Sequence, residues 1–176
     1  MGVFTKTDVI EALTRLGELA AARGETIDLV LVGGGVMVLE FEARASTRDL
    51  DVLILPPSEP SSVRMLAAIV SEERSWPDDW LNDAAKGFLV GLSTGPILFS
   101  ASGITVRRPS IEQLLAMKLC AWRDDIDIAD ARRLLKELNG GYNEVWNEVA
   151  KFLFPGRELS AKYGFDDIWD KDHGSH

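Results

Sequence analysis

The sequence predicts an α/β (α+β) fold in which helices flank a small mixed β-sheet and a helical C-terminal part follows. The segment Ile27–Val32 is almost entirely apolar, as a strand covered on both faces would be. Short strand-like segments, separated by Ser, Gly and Pro turns, recur before residue 108, and apolar residues at helical spacing dominate the rest. We therefore expect a single domain over residues 1–176, with a core at 1–108 and a helical part at 109–176.

The composition is ordinary for a globular protein and argues against some classes of function. The chain has 176 residues, of which 46% are hydrophobic and 27% charged, so it can bury a sizeable core. The net charge of −9 argues against a protein whose whole surface binds nucleic acid, although it allows a local basic patch or an acidic metal site. We expect no membrane segment, because the sequence has no apolar run of 18 residues. We expect a cytoplasmic protein, because the sequence has a single cysteine and no signal-peptide core.

The first half of the chain is predicted to alternate between helices and strands. Thr5 or Thr7 can cap a first helix whose apolar residues recur at helical spacing until near Gly24. Prolines mark later boundaries, because Pro56 and Pro57 end a strand and a proline suits the first turn of a helix. The elements predicted after the first helix are the strand Ile27–Val32, a helix from Val36 to about Ala43, a strand that carries Asp49 and Asp51, the helix Pro60–Arg74, a short helix at Trp76–Leu81, and the strands Phe88–Leu92, Ile97–Ala101 and Ile104–Arg107.

Two carboxylates on the second predicted strand are candidate metal ligands. Side chains alternate along a strand, so Asp49 and Asp51 point one way while Leu50, Val52 and Ile54 point toward a core. Two adjacent carboxylates repel each other, and a hard divalent cation removes that repulsion while leaving coordination positions for phosphate oxygens. The alternative is a solvated strand start, where Asp is common.

A run of three glycines, Gly33, Gly34 and Gly35, directly follows the first apolar strand. Glycine permits a sharp turn and a close approach of a ligand to the backbone, and unpaired N–H groups at the start of a helix favour an anion. The alternative is a tight strand-to-helix turn that needs no ligand. Arg44 and Arg48 lie in the loop before the carboxylates, where one of them either contacts phosphate or balances local charge.

The second half is predicted to be helical and contains a third group of candidate residues. Ser110 and Gln113 have the spacing of a capping box at the start of a helix. Lys118 lies within the apolar stripe of this helix, where it either extends its ammonium to water or meets phosphate in a cleft. Asp127 and Asp130 share a face of the next helix, although Asp is also common at helix N-termini. A further helix is predicted at Tyr142–Phe154, followed by a disordered tail that contains His173 and His176.

Together these motifs resemble the nucleotidyltransferase superfamily to which DNA polymerase β belongs. The string G-G-G…R-x-S-T-R-D-L-D-V carries the likeness, and within the superfamily it is most similar to small bacterial proteins related to the AbiEii toxin. Those families also have a helical K-L-x-A-x-R motif followed by D-x-x-D-[LI]. Lys118–Arg123 matches the first motif, and Asp127–Ala131 matches the second except at Ala131 and at the preceding Ile126, where those families usually have an arginine. The predicted sheet architecture rests partly on this resemblance.

The resemblance implies metal-dependent transfer of an NMP from an NTP to an acceptor. It implies that Asp49, Asp51 and Asp127 hold Mg²⁺ or Mn²⁺, and that Lys118 belongs to the catalytic set with them. Gly33, Gly34, Gly35 and Arg48 would then bind the nucleotide. The superfamily commonly has a third carboxylate on a later strand, but no Asp or Glu occurs between Asp83 and Glu112, so Asp127 is the expected substitute.

The AbiEii likeness further implies an RNA acceptor such as tRNA, and an antitoxin protein as a partner. The net charge leaves a protein or a small-molecule acceptor open. The rival hypothesis is a non-catalytic module of the same fold that binds a nucleotide or a partner protein, as an antitoxin would. Convergence of Asp49, Asp51, Lys118 and Asp127 would favour the enzyme over the binding module.

Overall fold

The structure, a computed structural model, describes residues 2–174 and confirms the predicted α/β class. The chain divides into two units. The first consists of Met1–Gly87 and Gly95–Arg108, and it contains a mixed β-sheet with helices. The second consists of Phe88–Thr94 and Pro109–His176, and it is helical. Within residues 2–174, no helix combines the length and the apolar character needed to cross a membrane.

The first unit is built on a five-stranded sheet. Its strands and those of a separate two-stranded ribbon are β1 (Phe4–Thr5), β2 (Ile27–Val32), β3 (Ser46–Thr47), β4 (Leu50–Ile54), β5 (Leu81–Asn82), β6 (Ile97–Ala101) and β7 (Ile104–Arg107). The order in the sheet is β5-β4-β2-β7-β6, and β1 pairs with β3 in the ribbon. Because β2 is antiparallel to β4 and parallel to β7, the sheet is mixed, as predicted. The apolar strand β2 is the third of the five strands and so lies at the centre of the sheet.

Three helices accompany this sheet, namely α1 (Lys6–Ala22), α2 (Gly34–Leu39) and α3 (Pro60–Arg74). Thr5, one of the two predicted caps, caps α1 and forms a capping box with Asp8. Helix α1 packs against α3, β6 and β7, whereas the short helix α2 packs against β2, β3 and β4. Because α2 begins directly after Gly33 and ends at Leu39, it is shorter than predicted and starts earlier.

Two predicted elements of the middle of the chain are wrong. The segment Trp76–Leu81 is a turn followed by β5, because the indole of Trp80 is buried and donates a hydrogen bond to the Ala67 carbonyl at 2.9 Å. The predicted strand at Phe88–Leu92 is absent, since residues 84–88 form a 3₁₀ helix and residues 89–94 are irregular. The side chain of Gln113 holds that irregular segment through hydrogen bonds to Gly91 and Ser93.

Four helices form the second unit. They are α4 (Ile111–Ala121), α5 (Asp125–Leu135), α6 (Tyr142–Ala150) and α7 (Glu158–His173). Ser110 caps α4 by accepting a hydrogen bond from the Gln113 N–H, and α4 contacts the other three helices. The expectation of a disordered tail is wrong for His173, which ends α7 and stacks on Trp169 with ring centroids 4.1 Å apart. His176 lies outside the described residues.

Candidate functional site

The glycine turn and the D-x-D motif meet in the first unit. Strands β2 and β4 pair so that Val32, the last residue of β2, lies opposite Asp51. Gly33 follows with φ 68° and ψ −146°, in a region of backbone space that is almost confined to glycine. A Cβ atom at Gly33 would lie 3.1 Å from Asp51 Oδ2. The absence of a side chain at Gly33 therefore lets the Asp51 carboxylate lie directly against the turn.

Alternation along β4 agrees with the prediction from Leu50 to Leu53 but not at Ile54, which was expected to face the core and is only half-buried. Leu50 and Val52 are buried, whereas Asp51 and Leu53 are half-buried. Asp49 is half-buried and precedes the first residue of the strand. The hydroxyl of Thr47, a residue with 5% exposure, donates a hydrogen bond to the Asp49 carbonyl at 3.1 Å. Because Thr47 is itself paired with Phe4 in the β1–β3 ribbon, the backbone before Asp51 is held at a defined position.

The second glycine of the turn lies against Arg44. A Cβ atom at Gly34 would lie 2.9 Å from Arg44 Nη1 and 2.9 Å from Thr47 Oγ1. Arg44 is half-buried, whereas Arg48, the predicted nucleotide-binding arginine, is exposed. The third glycine, Gly35, packs against apolar side chains, because a Cβ there would lie 2.8 Å from Leu50 Cδ2. Of the three glycines, Gly33 and Gly34 therefore contact the charged side chains.

Asn82 is a neighbour of the candidate metal pair that the sequence did not indicate. Strand β5 runs parallel to β4 with Asn82 opposite Asp51, so both side chains leave the same face of the sheet. The Asn82 carboxamide oxygen accepts a long hydrogen bond from the Ala84 N–H at 3.4 Å, and its second lone pair can bind a hard cation, as carboxylates do. The sequence does not indicate Asn82, because the residues before it predict a helix and because a two-residue strand has no periodic signal of its own.

The donor atoms of this region match the chemistry of Mg²⁺ or Mn²⁺. Asp49, Asp51 and Asn82 offer oxygen atoms only, which suits a hard cation that also coordinates phosphate and water. Among residues 2–174, no group of three or more His, Cys, Asp and Glu side chains is arranged to hold a metal ion. A cation bound at the D-x-D motif would therefore need further oxygen ligands, from an amide, from water or from the substrate.

Lys118 and Asp127, the other two predicted catalytic residues, lie together in the second unit. Lys118 Nζ lies 3.1 Å from Asp127 Oδ1 and 2.8 Å from Asp130 Oδ2, so it joins α4 to α5. The side chains of Lys118, Asp127 and Asp130 are 11%, 3% and 2% exposed. The alternative in which the lysine extends its ammonium to water is therefore wrong. The predicted sharing of one helix face by Asp127 and Asp130 is confirmed, because both contact the same ammonium.

Arg123 completes the ion cluster around Asp127. Its backbone N–H and its Nε each donate to Asp127 Oδ2 at 3.1 Å. Burial alone would raise the pKa of the Asp127 carboxyl, but the charge of Lys118 and the hydrogen bonds from Arg123 and Lys118 outweigh burial and lower this pKa below its ordinary value. Asp127 is therefore ionised at neutral pH and accepts hydrogen bonds inside the helical unit.

A separate cavity of about 430 Å³ lies in the second unit and contains none of the predicted site residues. Its lining includes three carboxylates, Glu112, Glu144 and Glu148. Glu144 accepts a hydrogen bond from the Gly141 N–H, and Glu148 pairs with Lys151, so two of these carboxylates have local structural partners. The residues that the sequence indicates for chemistry, at the glycine turn and the D-x-D motif and at Lys118 and Asp127, do not line this cavity.

The predicted site residues thus fall into two groups, one in each unit. Gly33 lies against Asp51, and Asp49 is fixed by Thr47, all within the first unit. Lys118 and Asp127 contact each other in the second unit, where their catalytic role stays a prediction. Compared with models of known protein families, with curated proteins and with solved structures, the chain matches none.

Proposed function

We propose that this protein is a metal-dependent nucleotidyltransferase that moves an NMP from an NTP to an acceptor. The observation that carries the proposal is the close contact between the Asp51 carboxylate and Gly33, at 3.1 Å from the position of a Cβ. A metal-binding carboxylate beside a turn that lacks side chains suits a ligand that combines a divalent cation with phosphate groups. A nucleoside triphosphate bound to Mg²⁺ is such a ligand.

Asp49 and Asp51 are the residues that would hold Mg²⁺ or Mn²⁺, with the Asn82 carboxamide as an additional oxygen ligand. A bound divalent ion would neutralise the charge that develops on the phosphate oxygens during transfer. The remaining task of this chain is to orient the nucleotide. Gly33 and Gly34 leave the turn open to close approach, and the buried Thr47 fixes the backbone at Asp49.

The acceptor and partners follow from the resemblance to AbiEii-like proteins. We propose an RNA acceptor such as tRNA, and an antitoxin protein as the partner that controls the activity. An NTP substrate and a single half-buried cysteine, Cys120, fit a protein of the cytoplasm.

A second candidate function is a non-catalytic module of the same fold that binds a nucleotide or a partner protein. The ion cluster of the second unit favours it. The Lys118 ammonium pairs with the carboxylates of both Asp127 and Asp130, and Asp127 also accepts hydrogen bonds from Arg123. Side chains committed in this way stabilise helix packing, which leaves fewer groups for catalysis than the sequence motif implies.

Calorimetric titration of each NTP, with Mg²⁺ present, tests the nucleotide site. The wild type should bind at least one NTP with micromolar affinity, and Asp51→Asn should lose most of that affinity because it removes a metal-binding charge. Asp79→Asn, which changes an exposed carboxyl in the turn before β5, serves as the matched control and should bind as the wild type does. No binding of any NTP by the folded wild type would contradict the proposal.

Transfer of labelled phosphate then separates the two candidate functions. With an NTP labelled at the α-phosphate and with total RNA as acceptor, the enzyme should give labelled RNA that requires Asp51. A binding module would bind the NTP in the calorimeter but label neither RNA nor protein. Label on protein but not on RNA would retain the enzyme and contradict the proposed acceptor.

A further inference from the structure

The loop before β4 contains two arginines that differ in their surroundings. Arg44 is half-buried, and its guanidinium lies at the glycine turn, with Nη1 2.9 Å and Cζ 3.4 Å from the position of a Cβ at Gly34. Arg48 is exposed to solvent. Sequence position favours Arg48, because it directly precedes Asp49, but the structure places the guanidinium of Arg44 beside the turn.

Opposite charges thus lie against two successive glycines. The Asp51 carboxylate approaches Gly33, and the Arg44 guanidinium approaches Gly34. A carboxylate binds a metal cation, whereas a guanidinium binds phosphate oxygens through two parallel hydrogen bonds. The arrangement is complementary to a ligand that has a cation and an anion in close proximity, as a metal-bound polyphosphate does.

The half-buried guanidinium of Arg44 lies over Gly34, beside a residue whose own position is fixed. Gly34 has no side chain that would displace it, and the buried Thr47 lies on the same glycine, with Oγ1 2.9 Å from the Cβ position. The Thr47 hydroxyl donates to the Asp49 carbonyl, and the Thr47 backbone is paired with Phe4 in the ribbon. A group that is held in place before the ligand arrives loses less conformational entropy on binding.

We propose that Arg44, and not Arg48, binds the phosphate chain of the nucleotide and gives the site a preference for triphosphates over monophosphates. This inference rests on the proposed function, since it assigns a residue of the same site. A nucleoside triphosphate offers the guanidinium more phosphate oxygens than a monophosphate does, so the loss of Arg44 affects nucleotides with three phosphates more than those with one.

The test is the ratio of two affinities, measured by calorimetry with Mg²⁺ for the NTP that the wild type binds best and for its monophosphate. Arg44→Ala should weaken NTP binding by about 10-fold or more, as expected for the loss of a charge-assisted hydrogen bond, and should change monophosphate binding far less. Arg44→Lys should restore part of the NTP affinity because it retains the charge. Arg48→Ala, which tests the competing assignment of the role to the other arginine of this loop, should keep the wild-type ratio if Arg44 binds the phosphates.

Each outcome separates this inference from the proposed function. If the wild type binds an NTP and Arg44→Ala keeps the wild-type ratio, Arg44 does not bind the phosphate chain. A changed ratio in Arg48→Ala with a normal ratio in Arg44→Ala would assign the role to Arg48. If Arg44→Ala weakens both nucleotides equally and Arg44→Lys restores neither, Arg44 has a structural role only. Failure of the wild type to bind any nucleotide would instead refute the proposed function itself.

Discussion

The carboxylate of Asp51 lies so close to Gly33 that a Cβ atom there would require the carboxylate to shift by a few tenths of an ångström. Asp51 Oδ2 is 3.1 Å from the position of a Cβ, and Gly33 has a φ of 68°. Two independent requirements, one of space and one of backbone conformation, therefore select glycine at this position. The requirement of space comes from the candidate site, whereas the requirement of backbone conformation comes from the turn alone.

Substitution of Gly33 tests the two requirements separately. Gly33→Ala should lower the free energy of unfolding by about 1–3 kcal/mol, because it forces alanine into a conformation that is almost confined to glycine. It should also lower NTP affinity, since the new methyl group displaces the Asp51 carboxylate. Urea titration followed by circular dichroism measures the first effect, and calorimetry measures the second.

Gly24→Ala is the matched control for this substitution. Gly24 also has a positive φ, of 70°, but nothing lies within 4 Å of a Cβ there. It should lose stability through backbone strain alone and keep the NTP affinity of the wild type. Equal NTP affinity in Gly33→Ala and the wild type would show that the contact with Asp51 has no part in binding.

The buried ion cluster of the second unit predicts a large effect on stability. Lys118→Met removes the ammonium that faces Asp127 and Asp130, and it leaves two buried carboxylates without that partner. Loss of one member of a buried ion cluster typically costs about 3–5 kcal/mol. We expect a decrease of this size in the free energy of unfolding, measured by urea titration.

The control for Lys118 is an exposed lysine with a carboxylate partner. Lys151 pairs with Glu148, and both side chains are more than half exposed, at 59% and 57%. Lys151→Met should therefore change stability by less than about 1 kcal/mol. If Lys118→Met is as stable as the wild type but no longer transfers nucleotide, the cluster is catalytic and its structural role is refuted.

The lowered pKa of Asp127 predicts a specific dependence of stability on pH. Because this pKa is lower in the folded than in the unfolded state, ionised Asp127 stabilises the fold above the unfolded pKa of about 3.9. That contribution is lost as the pH falls through the folded pKa. The stability difference between the wild type and Asp127→Asn should therefore be constant from about pH 7 to pH 5 and shrink below about pH 4.

Urea titrations at several pH values measure this difference. Asp125→Asn, which changes an exposed carboxyl in the first turn of the same helix, should give only a small difference at every pH. A difference for Asp127→Asn that stays the same down to pH 2 would contradict the assigned direction of the pKa shift.

Much of the first unit could be predicted because its signals are local. The buried strand Ile27–Val32, the helix Pro60–Arg74 and the strands Ile97–Ala101 and Ile104–Arg107 have the predicted bounds. Each is marked by composition, by periodicity or by a proline or glycine at its boundary. The D-x-D motif and the glycine turn were recognised for the same reason, since each is a short contiguous pattern.

The missed elements depend on residues distant in the sequence. Strand β5 depends on the pairing of Leu81 and Asn82 with β4. The turn before it is held by the hydrogen bond from the Trp80 indole to the Ala67 carbonyl. The contact between Arg44 and Gly34 likewise depends on the path of the intervening loop. The local pattern favours Arg48 over Arg44 and does not indicate Asn82, so the proposals about Arg44 and Asn82 depend on the structure.

Asn82 provides a further prediction about the metal. If its carboxamide is a ligand beside Asp51, Asn82→Ala should weaken Mn²⁺ binding, and Asn82→Asp should strengthen it because a carboxylate adds negative charge. The concentration of free Mn²⁺, read from its electron paramagnetic resonance signal, gives the dissociation constant. Equal Mn²⁺ affinity in Asn82→Ala, Asn82→Asp and the wild type would exclude Asn82 as a ligand.

The most direct test of the account is the same Mn²⁺ titration applied to the D-x-D pair itself. In the presence of the NTP that binds best, the wild type should reduce the free Mn²⁺ signal well beyond the reduction caused by the NTP alone. The folded double variant Asp49→Asn/Asp51→Asn should cause no such additional reduction, while Asp79→Asn should match the wild type. Equal Mn²⁺ binding by the double variant and the wild type would contradict the assignment of these carboxylates as the metal site.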